Sequence, residues 1–151
     1  ILSLLEGIGD RERAKNKLHD LLEANNGKLK TGFVGTPFLC PMLSENGMEK
    51  MAWELLFNEE YPGWLSEVNL GATTIWERWN SYTKATGFGP TGMNSFNHYA
   101  YGAVLSWIYK TAAGIAADPK NPGFKNIIMA PIPDRRLGFV KAQYKRRFFY
   151  E

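Results

Sequence analysis

The residue best suited to acid–base chemistry in this sequence is Glu77, which lies between two tryptophans in the segment Gly71-Ala72-Thr73-Thr74-Ile75-Trp76-Glu77-Arg78-Trp79-Asn80. Indole rings lower the local polarity, and a carboxyl group in such surroundings can be tuned to donate or accept a proton. The spacing Thr74-x-x-Glu77 also fits a capping box, in which Glu77 would bond back to the amide of Thr74 at a helix start. Glu77 is therefore predicted to be a catalytic carboxylate or a capping residue, and one carboxylate could serve both purposes.

A second segment, residues 92–102, places polar side chains on the first turns of an otherwise apolar predicted helix: Asn94, Ser95, Asn97 and His98. If inner helices all point their starts toward one end, these residues line that end together with Glu77. Helix capping is an alternative role for Asn94 or Ser95. The alternative for His98 is a core histidine with satisfied hydrogen bonds.

A third segment, Thr31-Gly32-Phe33-Val34-Gly35-Thr36-Pro37, is predicted to be a loop that leads into a buried helix. Its glycines either form turns or let backbone amides approach a ligand hydroxyl. The segment lacks a phosphate-loop lysine, which disfavours nucleotide binding.

Composition excludes several classes of function. The net charge of +3 is modest, and the late basic residues fit a solvated strand face better than a nucleic-acid interface (Arg135, Arg136, Lys141, Lys145, Arg146 and Arg147). His19 and His98 are far apart and Cys40 is the only cysteine, so no metal site is predicted. No apolar run reaches the roughly 20 residues of a membrane span. No signal segment opens the chain, and the compartment stays undetermined.

The elements that must position these residues are mainly helices. One-faced helices are predicted from Asp10 to Asn25 and from Glu49 to Phe57, and a buried helix from Thr36-Pro37 to Glu45. A long irregular stretch, residues 59–72, contains Tyr61-Pro62-Gly63-Trp64, and a second buried helix is predicted over 94–115. The alternation of buried and one-faced helices suits concentric layers better than a simple bundle.

The composition changes after Asp118-Pro119. Short β-type runs follow, separated by proline and glycine: Asn126–Ala130, Leu137–Ala142 and Arg147–Tyr150. This predicts a helical domain over residues 1–117 and the beginning of a β domain over residues 118–151. Because the chain opens at Ile1 with what reads as the middle of an element, we expect it to be part of a longer protein.

Taken together, the segments resemble the bacterial α-L-rhamnosidases. The resemblance covers roughly residues 1–117 and rests on four motifs in the family's order: Thr31 to Pro37, Tyr61 to Trp64, GATTIWERW from Gly71 to Trp79, and GMNSFNHYAYG from Gly92 to Gly102.

The resemblance implies an (α/α)6 toroid of the six-hairpin glycosidase type, followed by the start of a β-sandwich domain. It also implies inverting hydrolysis of terminal α-L-rhamnosyl residues, in which an acid protonates the leaving oxygen and a carboxylate opposite activates water. Glu77 matches the family's general base, and His98 matches a residue that contacts the sugar. Trp64, Trp76, Trp79 and Asn94 are expected in the substrate pocket. The family's general acid lies upstream of this chain, and no cofactor is implied.

The expected partners are a rhamnose-containing glycoside or polysaccharide and the remainder of the parent catalytic domain. Half a toroid would expose apolar faces, so the isolated chain is expected to be inactive and unstable, oligomeric or associated with the missing part. The alternatives are another (α/α)6 glycosidase or lyase acting on a different sugar, or a non-catalytic carbohydrate-binding fragment.

Overall fold

The computed structural model describes residues 1–145, which form two compact units, Ile1–Val104 and the part of the chain that begins at Leu105. Helices dominate. The predicted run Arg147–Tyr150 lies outside the described residues.

The first unit contains five helices, α1 to α5, and one short hairpin. The helices are Leu2–Leu5, Arg11–Ala24, Thr36–Glu45, Glu49–Phe57 and Trp64–Asn69, the hairpin strands are β1 Tyr82–Thr83 and β2 Gly87–Phe88, and a 3-10 helix covers Tyr101–Ala103. The antiparallel hairpin pairs Tyr82 with Phe88 and Thr83 with Gly87.

Local capping chemistry explains where α2 begins and where α3 ends. Asp10 caps α2, because its Oδ1 accepts the Arg13 N–H at 2.8 Å. Gly47, at φ +72°, ends α3 in the left-handed conformation, and the following Met48 N–H donates to the carbonyl of Leu43. The bounds predicted for α2, α3 and α4 are confirmed.

The core of the first unit lies between α3 and α4, which pack against each other. As predicted, α3 is buried almost all round, whereas α2 buries only one face, with Leu18 and Leu22 inward. Burial raises the pKa of the Cys40 thiol on α3 to about 12, so this cysteine is a core residue and a poor nucleophile.

The segment 59–72 is less irregular than predicted, because α5 occupies Trp64–Asn69. Its C-terminal turn closes through Glu67, whose carbonyl accepts the N–H groups of Leu70 and Ala72. At six residues the helix is too short for its hydrophobic period to be visible in the sequence.

The helix predicted over 94–115 is wrong in its first half. Residues 94–100 are irregular, and α6 spans only Val104–Thr111. The backbone of 95–98 forms hydrogen bonds with residues 75–77 instead of with the next turn. Polar side chains near a helix start offer such competing partners.

The second unit holds most of α6, an antiparallel hairpin of β3 Ile115–Ala117 with β4 Ile127–Met129, and a 3-10 helix, Arg135–Leu137. Strand β4 confirms the predicted run at 126–130, whereas the run at 137–142 is wrong, since its described residues form no strand. Proline at 131 and 133 interrupts the backbone donors that a further ladder would need. The domain boundary at 117 and the β domain stay predictions.

Among residues 1–145, no helix is both long enough and apolar enough to cross a membrane.

Candidate functional site

Glu77 is held by the backbone of the segment that follows the hairpin. Its Oε2 accepts the Ser95 N–H at 2.7 Å, and its own N–H donates to the Ser95 carbonyl at 2.9 Å. The side chain is 9% exposed, and Oε1 accepts no hydrogen bond from the described part of the chain. One oxygen is therefore fixed by a strong donor, while the other is left for a ligand or a water molecule.

The capping box at Thr74 does not form. No helix begins there, because the Thr74 hydroxyl donates to the carbonyl of Phe96 and the Glu77 carboxylate turns to Ser95. The backbone adds a further bond between the same segments, from the His98 N–H to the Ile75 carbonyl at 2.8 Å. Glu77 thus lies in an irregular segment whose backbone bonds to residues 95–98, and not at a helix start.

His98 is half-buried beside this pairing. Its Nδ1 accepts the Ala100 N–H at 3.3 Å, so a neutral ring carries its proton on Nε2. The imidazole stacks on Tyr99, with ring centroids 5.1 Å apart, and lies 6.3 Å from the ring of Phe33. The Nε2–H is then a donor suited to a hydroxyl group.

The loop 31–37 joins the same neighbourhood. The Trp79 indole N–H donates to the carbonyl of Thr31 at 3.0 Å, and Phe33 contacts His98. The Thr36 hydroxyl bonds to the Thr31 hydroxyl at 2.8 Å, which holds the loop against the start of α3. The structure therefore brings together all three segments that the sequence singled out.

The three predicted pocket tryptophans are all buried. Trp79 stacks on Tyr101 at 3.8 Å and meets Trp64 edge-on at 5.5 Å, and Trp64 donates its indole N–H to the Tyr101 carbonyl. Trp76 packs against Phe96 at 5.3 Å. These contacts give each ring a packing role, and their contact with substrate stays a prediction.

Two clefts have walls that share Ala72, Thr73 and Thr74. The larger, of about 460 Å³, also has Trp76, Tyr82, Phe88 and Phe96 in its wall. The smaller, of about 250 Å³, is completed by Trp64, Glu67, Val68 and Ile75. The segment that leads to Glu77 is thus accessible from solvent.

Asn94 ties the base of the hairpin loop together. Its Nδ2 donates to the carbonyls of Ser81 at 3.2 Å and Gly89 at 3.3 Å. Its Oδ1 is buried and has no partner among residues 1–145. A buried acceptor without a donor is unusual, and it is consistent with the predicted role of Asn94 toward a ligand.

Sequence reasoning missed Glu67, which lies on α5 and is only 3% exposed. Burial raises its pKa to about 8, and a hydrogen bond from the Trp76 backbone opposes this rise by a smaller amount. No motif marked Glu67, because only the short helix α5 reveals that the residue faces inward. Within residues 1–145, no group of three His, Cys, Asp or Glu side chains could hold a metal ion.

Residues 2–112 match the family described as the bacterial alpha-L-rhamnosidase 6 hairpin glycosidase domain. The chain is 52% identical over 133 residues to an alpha-L-rhamnosidase of Formosa agariphila, covering 88% of this chain and 14% of the relative. It is 48% identical over 128 residues to an alpha-L-rhamnosidase of Alteromonas sp. (strain LOR), covering 85% of this chain and 14% of that protein.

Among solved structures, the chain is similar to Streptomyces avermitilis alpha-L-rhamnosidase complexed with L-rhamnose, with a TM-score of 0.77 and 42% identity. The match covers 82% of this chain and 12% of that chain. The chain therefore spans about a seventh of the length of these relatives. The chain has the fold of part of a six-hairpin glycosidase domain. It belongs to the bacterial alpha-L-rhamnosidase six-hairpin glycosidase family.

Proposed function

We propose that the complete protein that carries this chain hydrolyses terminal α-L-rhamnosyl residues with inversion, and that Glu77 is its general base. The observation that carries the proposal is the way Glu77 is held. Its Oε2 is fixed by the Ser95 N–H, and no described residue donates to its Oε1. A base must be rigidly placed and still have an oxygen available for the water that it deprotonates.

In this mechanism Glu77 takes a proton from water as the water attacks the anomeric carbon, and the bond to the leaving oxygen breaks. The acid that protonates this oxygen would stand roughly 6.5–9.5 Å from Glu77, the separation that leaves room for water in an inverting enzyme. We expect that acid to come from another part of the catalytic domain. His98 would donate from Nε2 to a sugar hydroxyl, and Asn94 and the three tryptophans would complete the pocket.

The substrate class rests on the relatives, which are named alpha-L-rhamnosidases, one of them in complex with L-rhamnose. We infer a rhamnose-containing glycoside or polysaccharide as the substrate. We also infer that the remainder of the catalytic domain covers the apolar cleft formed by the side chains of α1, α2 and the 31–37 loop. This cleft has a volume of about 640 Å³.

The test is release of nitrophenol from an aryl α-L-rhamnoside by the complete protein, comparing wild type with Glu77→Gln. Removing a general base is expected to lower kcat by about 10²–10⁴-fold. The matched control is Glu59→Gln, because Glu59 is exposed, is absent from the walls of the two clefts and undergoes the same chemical change.

Each outcome assigns a role. Loss of turnover in a folded Glu77→Gln protein, with Glu59→Gln unaffected, supports both the substrate class and the base. Turnover that survives Glu77→Gln would leave Glu77 a structural residue. No turnover by wild type, with the sugar still bound, would favour a carbohydrate-binding role or hydrolysis of a different sugar.

A further inference from the structure

Glu67 is a buried carboxyl group that the proposed mechanism does not use. It lies on α5 with 3% of its surface exposed, and its Oε1 has no hydrogen-bond partner among residues 1–145. Since a charged carboxylate in such a place is strongly disfavoured, a buried glutamate is retained there at a cost to stability.

Glu67 contacts both ends of the segment that leads to Glu77. Its backbone carbonyl accepts the Ala72 N–H at 3.0 Å, and the backbone N–H of Trp76 lies close enough to its carboxyl group to oppose the rise in pKa that burial causes. Residues 72–76 are therefore bracketed by one residue, and the next residue along the chain is Glu77.

We propose that Glu67 is a positioning residue for Glu77, acting through the backbone of Trp76. The inference rests on the proposed function, because it assigns Glu67 a role in placing the general base of that reaction. An uncharged carboxyl group can accept the Trp76 N–H without bringing a negative charge into the wall formed by Trp64 and Ile75.

The proposal predicts a dependence on pH. Burial raises the pKa of Glu67 to about 8, so the group loses its proton in mildly alkaline solution. Tyr101 in the 3-10 helix is close enough to feel this charge: burial raises the pKa of Tyr101, and the charges of Glu67 and Tyr61 raise it further. Glu77 and Arg78 follow Trp76 directly. Since a new charge on Glu67 is strongly disfavoured in this buried place, ionisation should disturb the bracketed segment, and activity should fall above about pH 8.

The experiment measures kcat and KM of the complete protein from about pH 5 to about pH 10 for wild type, Glu67→Gln, Glu67→Leu and Glu59→Gln. At about pH 6, Glu67→Gln should stay within about twofold of wild type, because the amide oxygen replaces the protonated carboxyl group as acceptor. Glu67→Leu should lower kcat by about ten- to a hundredfold with little change in KM, the signature of a displaced catalytic group.

The decisive comparison is the alkaline side of the profile. Wild type and Glu59→Gln should lose activity above about pH 8, and Glu67→Gln should not. If Glu67→Gln keeps the wild-type alkaline loss, or if Gln and Leu lower kcat equally, the proposal is wrong. The proposal is also wrong if wild type shows no alkaline loss, which is what pairing of Glu67 with a cation elsewhere in the protein would produce. Failure of the proposed function gives a different result, namely a folded wild type without turnover.

Discussion

At the scale of single residues, Ser95 positions Glu77 through main-chain groups alone. Its N–H donates to the carboxylate and its carbonyl accepts the Glu77 N–H, whereas the Ser95 hydroxyl accepts the Asn97 N–H and is not bonded to Glu77. The sequence could point to Glu77, because tryptophans and a motif surround it. It pointed to Ser95 only as a polar side chain near Glu77 and did not point to Glu67, since the roles of both depend on which distant backbone groups lie beside them.

The imidazole of His98 is expected to bind substrate through Nε2, since Nδ1 is used by Ala100. His98→Phe keeps the ring that stacks on Tyr99 and removes the donor. We expect KM for the aryl rhamnoside to rise about tenfold, which corresponds to the loss of one hydrogen bond. Steady-state kinetics of the complete protein check this.

His19→Phe is the matched control, because His19 is an exposed histidine on α2, away from the site. It should leave KM unchanged. An unchanged KM in His98→Phe as well would show that His98 is a core residue, the alternative that the sequence left open.

At the scale of elements, predictability from sequence follows the range of the interactions. Helix α3 ends at a signal in its own sequence, Gly47, and the bounds of α3 and α4 were predicted well. Residues 94–100 have a helical apolar pattern, but their backbone pairs with 75–77 across the intervening hairpin. The local sequence does not predict a pairing between segments about 20 residues apart. The polar side chains of 94–98 indicated only that the backbone there could have partners other than the next helical turn.

The β3–β4 hairpin depends on Gly114, which has φ +68° and no room for a side chain. A Cβ atom there would lie 2.2 Å from the backbone nitrogen of Pro131. Gly114→Ala is therefore expected to destabilise the hairpin by about 3 kcal/mol or more, since strain and a backbone clash combine. Amide hydrogen exchange of 115–117 and 127–129 measures the effect.

Gly123→Ala separates strain from clash, because Gly123 has φ +76° and open space around its Cα. That substitution should cost only about 1–2 kcal/mol, the cost of placing an L-residue in the left-handed region. Equal effects of the two substitutions would mean that the backbone near Pro131 moves aside without cost.

At the scale of the whole molecule, the chain spans about a seventh of the length of the relatives it matches, and this is where the sequence predicted least. Leu21 has the helical spacing of the inward-facing Leu18 and Leu22, yet it is 55% exposed, and Val34 beside the same cleft is 64% exposed. Periodicity identifies an apolar position but not the element that covers it. From the family relationship we expect that element to be further helices of the six-hairpin domain.

The ionisation of Glu67 also belongs to this scale, because it links folding to pH. The unfolded chain releases this proton near pH 4.5, whereas the folded chain holds it to about pH 8. Between these values the folded state binds more protons, so the free energy of unfolding falls as pH rises. We expect Glu67→Gln to gain in melting temperature over wild type from about pH 5 to about pH 8, and the gain to level off above that.

Thermal unfolding of the complete protein at several pH values checks this expectation. A difference between Glu67→Gln and wild type that is the same at every pH would show that Glu67 is ionised, or paired, throughout. Glu59→Gln should follow the wild-type curve, since Glu59 is exposed.

The bonds between residues 75–77 and 95–98 close a loop whose far end is the turn between β1 and β2. The closing bonds lie on the side of Glu77, and the turn residues Lys84, Ala85 and Thr86 are exposed. Length can therefore vary at the turn without moving the carboxylate. For protein engineering this turn is an insertion point, where a fluorophore or an affinity handle could be added while the bonds between 75–77 and 95–98 keep Glu77 in place.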